Sequence, residues 1–376
     1  MTHPEPAPDL PATMTAVHLT RHGGPDALEI RHDVPVPRPG PDEALIRVAA
    51  CGVNNTDVNT RVGWYSKAVT GATSGEGFDE AGSADSTWGG GGVMFPRIQG
   101  ADPSGQVVAI GAGGDQSLVG RRVLVDPVMR DADDPADRTK AGYLGSERDG
   151  GFAEYCCVPA TNVHAHASPL DDVTLAALPC SWSTAEHMLQ RVRLSEGQSI
   201  AVTGASGGVG SALVALAKLR GARVVAVAGA SKHDAVAAFG PDELVDRAVA
   251  AVPEAAVAAN GGPFDVVADV VGGPDFGPWL DALARGGRYV TAGAIAGPVV
   301  DLDLRTLYLN DLELYGTTVF GPQVFADLIG YLNDGRITPV VGATYPLADI
   351  VAAQEAFERK AHVGAIVLTV SDPAGW

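Results

Sequence analysis

A short glycine-rich turn at residues 204–210, Gly-Ala-Ser-Gly-Gly-Val-Gly, carries the clearest chemical signal of the chain. Gly207 and Gly208 leave room for the backbone to approach a bound pyrophosphate, and Gly210 lets a following helix pack closely on the preceding strand. The N–H groups that start this helix would face the phosphates. We therefore predict a dinucleotide site, as opposed to a strand–turn–helix unit that binds nothing. Its binding residues are Ala205, Ser206, Gly207, Gly208, Val209 and Gly210.

The residues after the second apolar run indicate which dinucleotide is bound. An NAD site usually ends this strand in Asp or Glu, which accepts from the ribose 2′-OH, whereas this chain has Ala228. Small residues leave space for a 2′-phosphate, and Ser231 and Lys232 can donate hydrogen bonds to it. The pattern favours NADPH. Lys232 alone could be a solvated surface lysine, and Asp234 weakens the local positive field.

The elements that must position these residues change character along the chain. Residues 15–48 are short strands and proline turns, and residues 50–65 place small polar groups where they can line a cleft. From residue 199, apolar runs, glycine turns and helical segments alternate, which predicts an α/β fold with a doubly wound parallel sheet. After residue 321, the remaining helices and strands are expected to rejoin the β-rich part.

Composition excludes several classes of partner. A formal net charge of −19 over 376 residues argues against nucleic acid or an anionic membrane, because both require a basic face. Four cysteines without metal or disulfide spacing fit a reducing cytoplasm. Residues 1–14 lack the apolar core of a signal peptide and are predicted to be a disordered tail. No stretch is long enough to span a membrane.

A glycine-, serine- and acid-rich stretch at residues 70–93 interrupts the β-rich part. Its low complexity predicts a mobile loop. A family-variable insertion is favoured over a lid on the cleft, and both interpretations stay open.

The order of these parts resembles the medium-chain dehydrogenase/reductase superfamily, on its zinc-free quinone oxidoreductase and enoyl reductase side. The resemblance covers residues 15–370, with the stretch 70–93 as an interruption. It implies a Rossmann domain at residues 183–320, inserted between two parts of a GroES-like catalytic domain at residues 15–182 and 321–376. Related proteins often dimerise through the edge strands of the cofactor domain, so a homodimer is expected.

Departures from the zinc-containing members of the superfamily predict that no metal is bound. Asn54 and Ala101 stand where those members carry a metal-binding cysteine and histidine, and only Cys180 falls at the place of a third ligand. A catalytic zinc normally keeps three protein ligands. Cys180 is therefore interpreted as a packed thiol.

The same resemblance suggests three catalytic residues. An asparagine at the position of Asn54 touches the nicotinamide or the substrate oxygen in zinc-free relatives. Tyr65 lies eleven residues after it in a Gly-x-Tyr step that supplies a proton donor in enoyl-thioester reductases. Thr56 stands where alcohol dehydrogenases carry a proton-relaying hydroxyl. The alternative for Tyr65 is an aromatic loop residue that covers the cleft, and Asp57 is expected to bond backbone N–H groups of its own turn.

The resemblance also places residues around the remainder of the cofactor. Ala292 and Gly293 would lie beside the nicotinamide carboxamide, Thr184 near the ring, and Lys360 or Arg359 near the far phosphate.

Together these features predict an NADPH-dependent oxidoreductase that transfers hydride to a small molecule, namely a quinone, an enone or another α,β-unsaturated carbonyl. One alternative is a zinc-free alcohol or aldehyde oxidoreductase. The other is a scaffold or regulator that binds NADPH without turnover.

Overall fold

The β-rich part of the chain occupies the first half of the described residues. The computed structural model describes residues 10–73 and 85–371. The strands of this part are β1 (Thr13–Leu19), β2 (Leu28–Pro35), β3 (Glu43–Val53), β4 (Arg97–Ile98), β5 (Asp102–Ile110), β6 (Arg122–Val125), β7 (Val128–Met129), β8 (Gly142–Tyr143), β9 (Tyr155–Pro159) and β10 (Val163–Ala165). Its helices are α1 (Asn55–Val62), α2 (Asp172–Leu175) and α3 (Pro179–Arg191).

A six-stranded parallel sheet with the order β13-β12-β11-β14-β15-β16 follows. Its strands are β11 (Ser199–Val202), β12 (Arg223–Ala228), β13 (Glu243–Asp246), β14 (Phe264–Asp269), β15 (Leu283–Thr291) and β16 (Glu313–Gly316). The connecting helices are α4 (Gly208–Leu219), α5 (His233–Ala237), α6 (Val252–Asn260), α7 (Phe276–Asp281) and α8 (Leu304–Leu309). The central strands are buried runs of Val, Ala and Ile, as expected where helices cover both faces of a parallel sheet.

The chain then returns to the β-rich part. The returning elements are α9 (Pro322–Asn333), β17 (Val341–Pro346), α10 (Ile350–Glu358) and β18 (Ala365–Thr369). Strand β18 pairs antiparallel with β3, so the last strand closes the sheet β10-β6-β5-β3-β18-β17. This confirms the predicted fold class, a Rossmann sheet inserted between two parts of a β-rich GroES-like domain.

Two predicted boundaries shift in the structure. Strand β1 begins at Thr13, pairs Met14 with Val34 of β2 and buries the Met14 side chain in the core of the β-rich part. The ordered chain therefore begins inside the tail predicted for residues 1–14, of which residues 1–9 lie outside the described part. Helix α3 runs across the boundary placed between residues 182 and 183, since it packs on both α4 and α9. Among the described residues, every helix is too short or too polar to cross a membrane.

Candidate active site

A cleft lies at the carboxyl edge of the parallel sheet, beside the neighbouring strands β11 and β14. Connections leave in opposite directions at this point, so a crevice forms between them. The cleft holds about 330 Å³, and the catalytic domain forms its other wall. The described residues that line it carry no charged side chain. They include Asn54, Thr56, Asn59, Trp64, Tyr65, Trp88, Tyr143, Cys180, Ser181, Thr184, Gly207, Gly208, Val209, Gly210, Ala292, Gly293, Ile295, Thr317 and Phe320.

The glycine turn needs its glycines for different reasons. A Cβ on Gly210 would lie 2.1 Å from the carbonyl oxygen of Gly204, so only glycine lets α4 pack on the turn. A Cβ on Gly207 would meet nothing closer than 3.6 Å, which leaves space for a ligand. Gly208 differs from the expectation, because its Cβ would lie 2.4 Å from the Ser181 hydroxyl of the catalytic domain. The small size of Gly208 therefore serves domain contact.

The turn suits a dinucleotide phosphate. Helix α4 begins after Gly207 with no side-chain cap, so its first N–H groups remain available to an anion in the cleft. Ala205 is fully buried and donates its N–H to the carbonyl of Val227, so it supports the turn from beneath and does not line the cleft. The Ser206 carbonyl accepts from Gly364 N, which ties the turn to the catalytic domain.

At the end of strand β12, the side chain of Lys232 is held by the protein itself, which the sequence did not predict. Lys232 is not a free surface lysine: its Nζ donates to the carbonyl oxygens of Lys360 at 2.5 Å and His362 at 3.0 Å. Burial lowers the pKa of this ammonium group. Ser231 is exposed beside it.

Sequence reasoning missed Arg247 at the same place. Its backbone N–H donates to the carbonyl of Ala228, and a Cβ on Gly229 would lie 3.4 Å from its Nε. The side chain is exposed. The feature that could have identified Arg247 is its position directly after β13, which is the neighbour of β12 in the sheet.

Lys360 lies between the cofactor turn and helix α1. Its Nζ donates to Asn55 Oδ1 at 2.8 Å and stands 3.6 Å above the ring of Phe357. Burial lowers its pKa to about 7. Asn55 and Phe357 both line the cleft, whereas Lys360 stands behind them. Thr184, Ala292 and Gly293 line the cleft directly.

The predicted catalytic side chains converge at the start of helix α1. The Asn54 side chain donates from Nδ2 to Asp102 Oδ2 at 2.8 Å, and its Oδ1 accepts from the Ser181 hydroxyl. The Tyr65 hydroxyl lies beside the polar side chains of Thr56 and Asn59, which line the same cleft. Burial raises the pKa of Tyr65 to about 12, so the phenol stays protonated over the working range of pH. The structure thus brings Asn54, Thr56 and Tyr65 together in one cleft.

Two buried carboxyl groups stand behind this cluster. Burial raises the pKa of Asp57 and of Asp102 to about 7 each. Asp57 accepts from the N–H groups of Asn54 and Gly100, and Asp102 accepts from the N–H of Cys180. They position the cleft wall and do not line it. Asp102 was not among the predicted site residues.

Cys180 lies at the edge of the cleft. It is half-buried, lines the cleft beside Tyr143 and packs against the hydrophobic core. Burial and the nearby Asp102 carboxylate raise its pKa well above the usual range, which keeps it a neutral thiol. Within the ranges 10–73 and 85–371, no group of three or more His, Cys, Asp or Glu residues is arranged to hold a metal ion.

The low-complexity stretch contributes to the cleft. Residues 74–84, which are 11 of the 24 residues of the predicted mobile loop, lie outside the described part. Its described flanks reach the cleft: Thr73 donates its N–H to the carbonyl of Ile295 across it, and Trp88 lines its wall. Trp88, Tyr143 and Phe320 were missed because contacts distant in sequence bring them to the site, whereas Asn59 belongs to the run 50–65 that was expected to line a cleft.

A Rossmann sheet with an uncapped glycine turn, facing a β-rich domain across an uncharged cleft, is the architecture of a pyridine-nucleotide-dependent oxidoreductase. Residues 40–168 match the alcohol dehydrogenase GroES-like domain family, and residues 208–334 match the zinc-binding dehydrogenase family. The chain belongs to the medium-chain dehydrogenase/reductase superfamily, in its quinone oxidoreductase-like branch.

Several characterised proteins resemble the chain over most of its length. The quinone oxidoreductase of Pongo abelii is 26% identical, covering 91% of this chain and 93% of the relative. The acryloyl-coenzyme A reductase of Metallosphaera sedula is 27% identical, covering 92% and 98%. The NAD-dependent alcohol dehydrogenase of Sulfolobus acidocaldarius is also 27% identical, covering 95% and 100%.

Solved structures agree with this placement. A candidate alcohol dehydrogenase from Sinorhizobium meliloti 1021 is 46% identical with a TM-score of 0.87, covering 97% of this chain and 98% of the other. The 2-octenoyl-CoA carboxylase reductase CinF, solved with NADP and 2-octenoyl-CoA, is 26% identical with a TM-score of 0.84, covering 97% and 89%.

Proposed function

We propose that the protein is an NADPH-dependent reductase that transfers hydride to a quinone, an enone or another α,β-unsaturated carbonyl without zinc. The observation that carries the proposal is the cluster formed by the Tyr65 and Thr56 hydroxyls and the Asn59 amide in an uncharged cleft beside the glycine turn. A protonated phenol can donate a proton to a substrate that has received a hydride. The names of the quinone oxidoreductase and acryloyl-coenzyme A reductase relatives agree with this reaction class.

The residues of the site would divide the work as follows. The cofactor supplies the hydride when it is bound. Asn54 offers its second amide N–H to the substrate oxygen, since the first donates to Asp102 and Oδ1 accepts from Ser181. Thr56 helps to hold that oxygen as negative charge develops on it. Tyr65, or water, then delivers the proton.

The preference for NADPH rests on the end of strand β12. Ala228 presents no carboxylate to a 2′-phosphate, and the exposed Ser231 and Arg247 side chains nearby can donate to it. The ammonium group of Lys232, held by the carbonyls of Lys360 and His362, adds positive charge beside them. Asp246 lies one strand away, but its carboxylate accepts from the N–H groups of Ala230 and Ala248. CinF, which was solved with NADP, agrees with this choice.

A zinc-free alcohol or aldehyde oxidoreductase is the second candidate. The similarity to the NAD-dependent alcohol dehydrogenase of S. acidocaldarius favours this candidate. Asp246 could then accept a hydrogen bond from the ribose 2′-hydroxyl of NADH. A scaffold that binds NADPH without turnover is the third.

A panel of hydride acceptors, followed by the absorbance of NADPH and by product analysis, separates these candidates. Saturation of C=C without formation of alcohol, or reduction of a quinone, supports the proposal. Formation of alcohol supports the second candidate, and binding of NADPH without its oxidation supports the third. Metal analysis of the purified protein should find well under one equivalent of zinc.

The proposal includes the cellular compartment and the oligomeric state of the enzyme. All four cysteines are free, as expected for a reducing cytoplasm. We expect a homodimer that meets through the edge strand β16, and no nucleic acid or membrane partner.

A further inference from the structure

One wall of the cleft is formed by two aromatic side chains from different parts of the chain. Trp88 comes from the low-complexity stretch and Tyr143 from strand β8, and their ring centroids lie 4.8 Å apart at an interplanar angle of 31°. Both residues line the cleft, and Tyr143 is almost fully buried. We refer to Trp88 and Tyr143 as the aromatic wall.

Trp88 is held firmly although its sequence surroundings are rich in glycine. The backbone around it forms a closed turn, in which Thr87 N donates to the Gly91 carbonyl and Gly90 N donates to the Thr87 carbonyl. Ser86 and Thr87 are buried. The backbone N–H of Trp88 donates to the Ser146 hydroxyl.

A single carboxylate fixes the two halves of the aromatic wall relative to each other. Glu147 Oε1 accepts from Gly89 N at 2.6 Å, next to Trp88, and Glu147 Oε2 accepts from Tyr143 N at 2.8 Å. Removal of this carboxylate would loosen the turn from strand β8 and leave the contact of the Trp88 N–H with the Ser146 hydroxyl as a remaining tie. Glu147 lies outside the cleft lining, so it acts only through the two rings.

The chemistry of this wall selects a class of substrate. Aromatic faces stack on flat conjugated rings, and such contacts contribute about 0.5–1.5 kcal/mol beyond area burial in proteins. The described lining offers no cation to a carboxylate and no anion to an amine. A charged substrate would therefore lose hydration without gaining a partner.

We propose that Trp88 and Tyr143, positioned by Glu147, form the surface on which a flat, uncharged, conjugated substrate stacks, so that bicyclic quinones are preferred over small aliphatic enones. The proposal rests on the reductase function proposed above. It assigns substrate recognition to Trp88, in the stretch 70–93 whose role the sequence leaves open.

The test compares two substrates in one set of variants. For Trp88→Leu we expect kcat/KM for 1,4-naphthoquinone to fall about 5- to 10-fold, mainly through KM, because the stacking energy is lost. Methyl vinyl ketone should change less than 2-fold, and Trp88→Phe should restore most of the naphthoquinone activity. Tyr331→Leu, on helix α9 away from the cleft, is the matched control and should change neither substrate. Equal losses for both substrates in Trp88→Leu would overturn the proposal.

Glu147 is tested as a positioning residue. Glu147→Ala should shift selectivity in the same direction as Trp88→Leu, with the dissociation constant of NADPH unchanged. Glu147→Gln keeps one acceptor oxygen and should fall between Glu147→Ala and the parent. An unchanged ratio of the two substrates in Glu147→Ala would remove this positioning role.

A binding experiment separates failure of this proposal from failure of the reductase function. Calorimetric titration with 2-acetylnaphthalene, a flat uncharged ketone that is not an enone, should show about 5-fold weaker binding to Trp88→Leu than to the parent. If the parent protein reduces no substrate but this difference appears, the reductase function fails and the aromatic wall stands. If both proteins bind the ketone equally, the aromatic wall is overturned whatever the activity.

Discussion

At the scale of single residues, a buried hydrogen-bonded network shapes the site. Asn54 donates to the buried carboxyl group of Asp102. Asp102 also holds the backbone N–H of Cys180. Hydrogen bonds of Asp102 with Asn54 and Cys180 therefore fix the cleft wall. The sequence singled out Asn54 and Cys180 but could not show that Asp102 joins them.

Tyr65→Phe tests the proton donor. Loss of a general acid should lower kcat about 10- to 100-fold, with water as the residual donor, while the dissociation constant of NADPH stays the same. Because the pKa of Tyr65 is raised to about 12, kcat should show no decline from ionisation of this phenol between pH 8 and pH 10. Steady-state kinetics across this range measure both effects. Tyr155→Phe, on strand β9 outside the cleft, is the control. Unchanged turnover on every substrate would leave Tyr65 as a residue that only covers the cleft.

Asp102→Asn tests the buried carboxyl pair. The pKa of Asp102 is about 7 in the folded state, above its ordinary value of 3.8, so the folded state binds the proton more tightly. Its contribution to stability is full below about pH 4 and is lost as the pH rises to about 7. Urea unfolding should therefore show that the free energy of unfolding falls, through this group, by up to about 1.4 kcal/mol per pH unit as the pH rises.

In Asp102→Asn the decline should be smaller, since only Asp57 of this buried pair remains to titrate. The variant should be less stable than the parent at pH 5, where it loses a hydrogen bond, and the difference should shrink by pH 8. Asp334→Asn, at an exposed position, is the control and should keep the slope of the parent. Identical slopes for Asp102→Asn and the parent would contradict the raised pKa.

At the scale of elements, the glycine turn was predictable because its constraint is local. Gly204 adopts φ +58°, and Gly210 faces the carbonyl of Gly204 across a single turn of chain. Arg247 and Trp88 were not predictable in the same way. Arg247 reaches the cofactor turn through the pairing of β12 with β13, and Trp88 reaches Tyr143 through Glu147. Such contacts depend on strand order and loop closure, which no local pattern encodes.

Gly210→Ala tests the packing of helix α4 on the turn. A Cβ placed 2.1 Å from the Gly204 carbonyl must shift the helix or the turn, at a cost of about 1–3 kcal/mol. We expect a lower melting temperature and weaker binding of both NADPH and NADH. Gly330→Ala is the matched control: it lies in helix α9 with open space around it, so it should be neutral or stabilising by up to about 1 kcal/mol. Equal melting temperatures for the two variants would refute the packing argument.

At the scale of the whole molecule, the cofactor domain is tied to the catalytic domain at the end where the 2′-phosphate is expected. The contacts of Lys232 with the carbonyls of Lys360 and His362 join the two domains. Arg247 makes its backbone contact within the cofactor domain. The two cations should therefore respond differently to substitution.

Arg247→Ala should raise the dissociation constant of NADPH about 10-fold or more, because a charge-assisted hydrogen bond to the 2′-phosphate is lost. The dissociation constant of NADH should change by less than about 2-fold. Lys232→Ala should weaken NADPH and also lower the melting temperature, since it opens the contact between the domains. Arg285→Ala, whose exposed pair with Asp311 lies elsewhere, is the control. Titration calorimetry with both cofactors decides the matter: equal losses of NADPH and NADH in Arg247→Ala would remove the argument for the 2′-phosphate.

The free edge of the parallel sheet carries the expectation of a homodimer. Strand β16 pairs only with β15 in the described sheet, so its other side presents unpaired backbone groups. Large apolar side chains cluster in sequence beside this edge, with exposed fractions of 62% for Leu304, 56% for Leu309 and 72% for Val299. A second copy of the chain could cover both features at once, because an isologous contact pairs the same edge with itself.

Leu309→Asp should therefore convert a dimer to a monomer, since a carboxylate buried at the interface would lack a partner. Analytical ultracentrifugation should find about twice the chain mass for the parent and the single-chain mass for the variant. Val119→Asp, at an exposed apolar position of the catalytic domain, is the control and should leave the dimer intact. A parent protein that sediments as a monomer would contradict the dimer itself, whereas a dimer that persists in Leu309→Asp would place its interface elsewhere on the molecule.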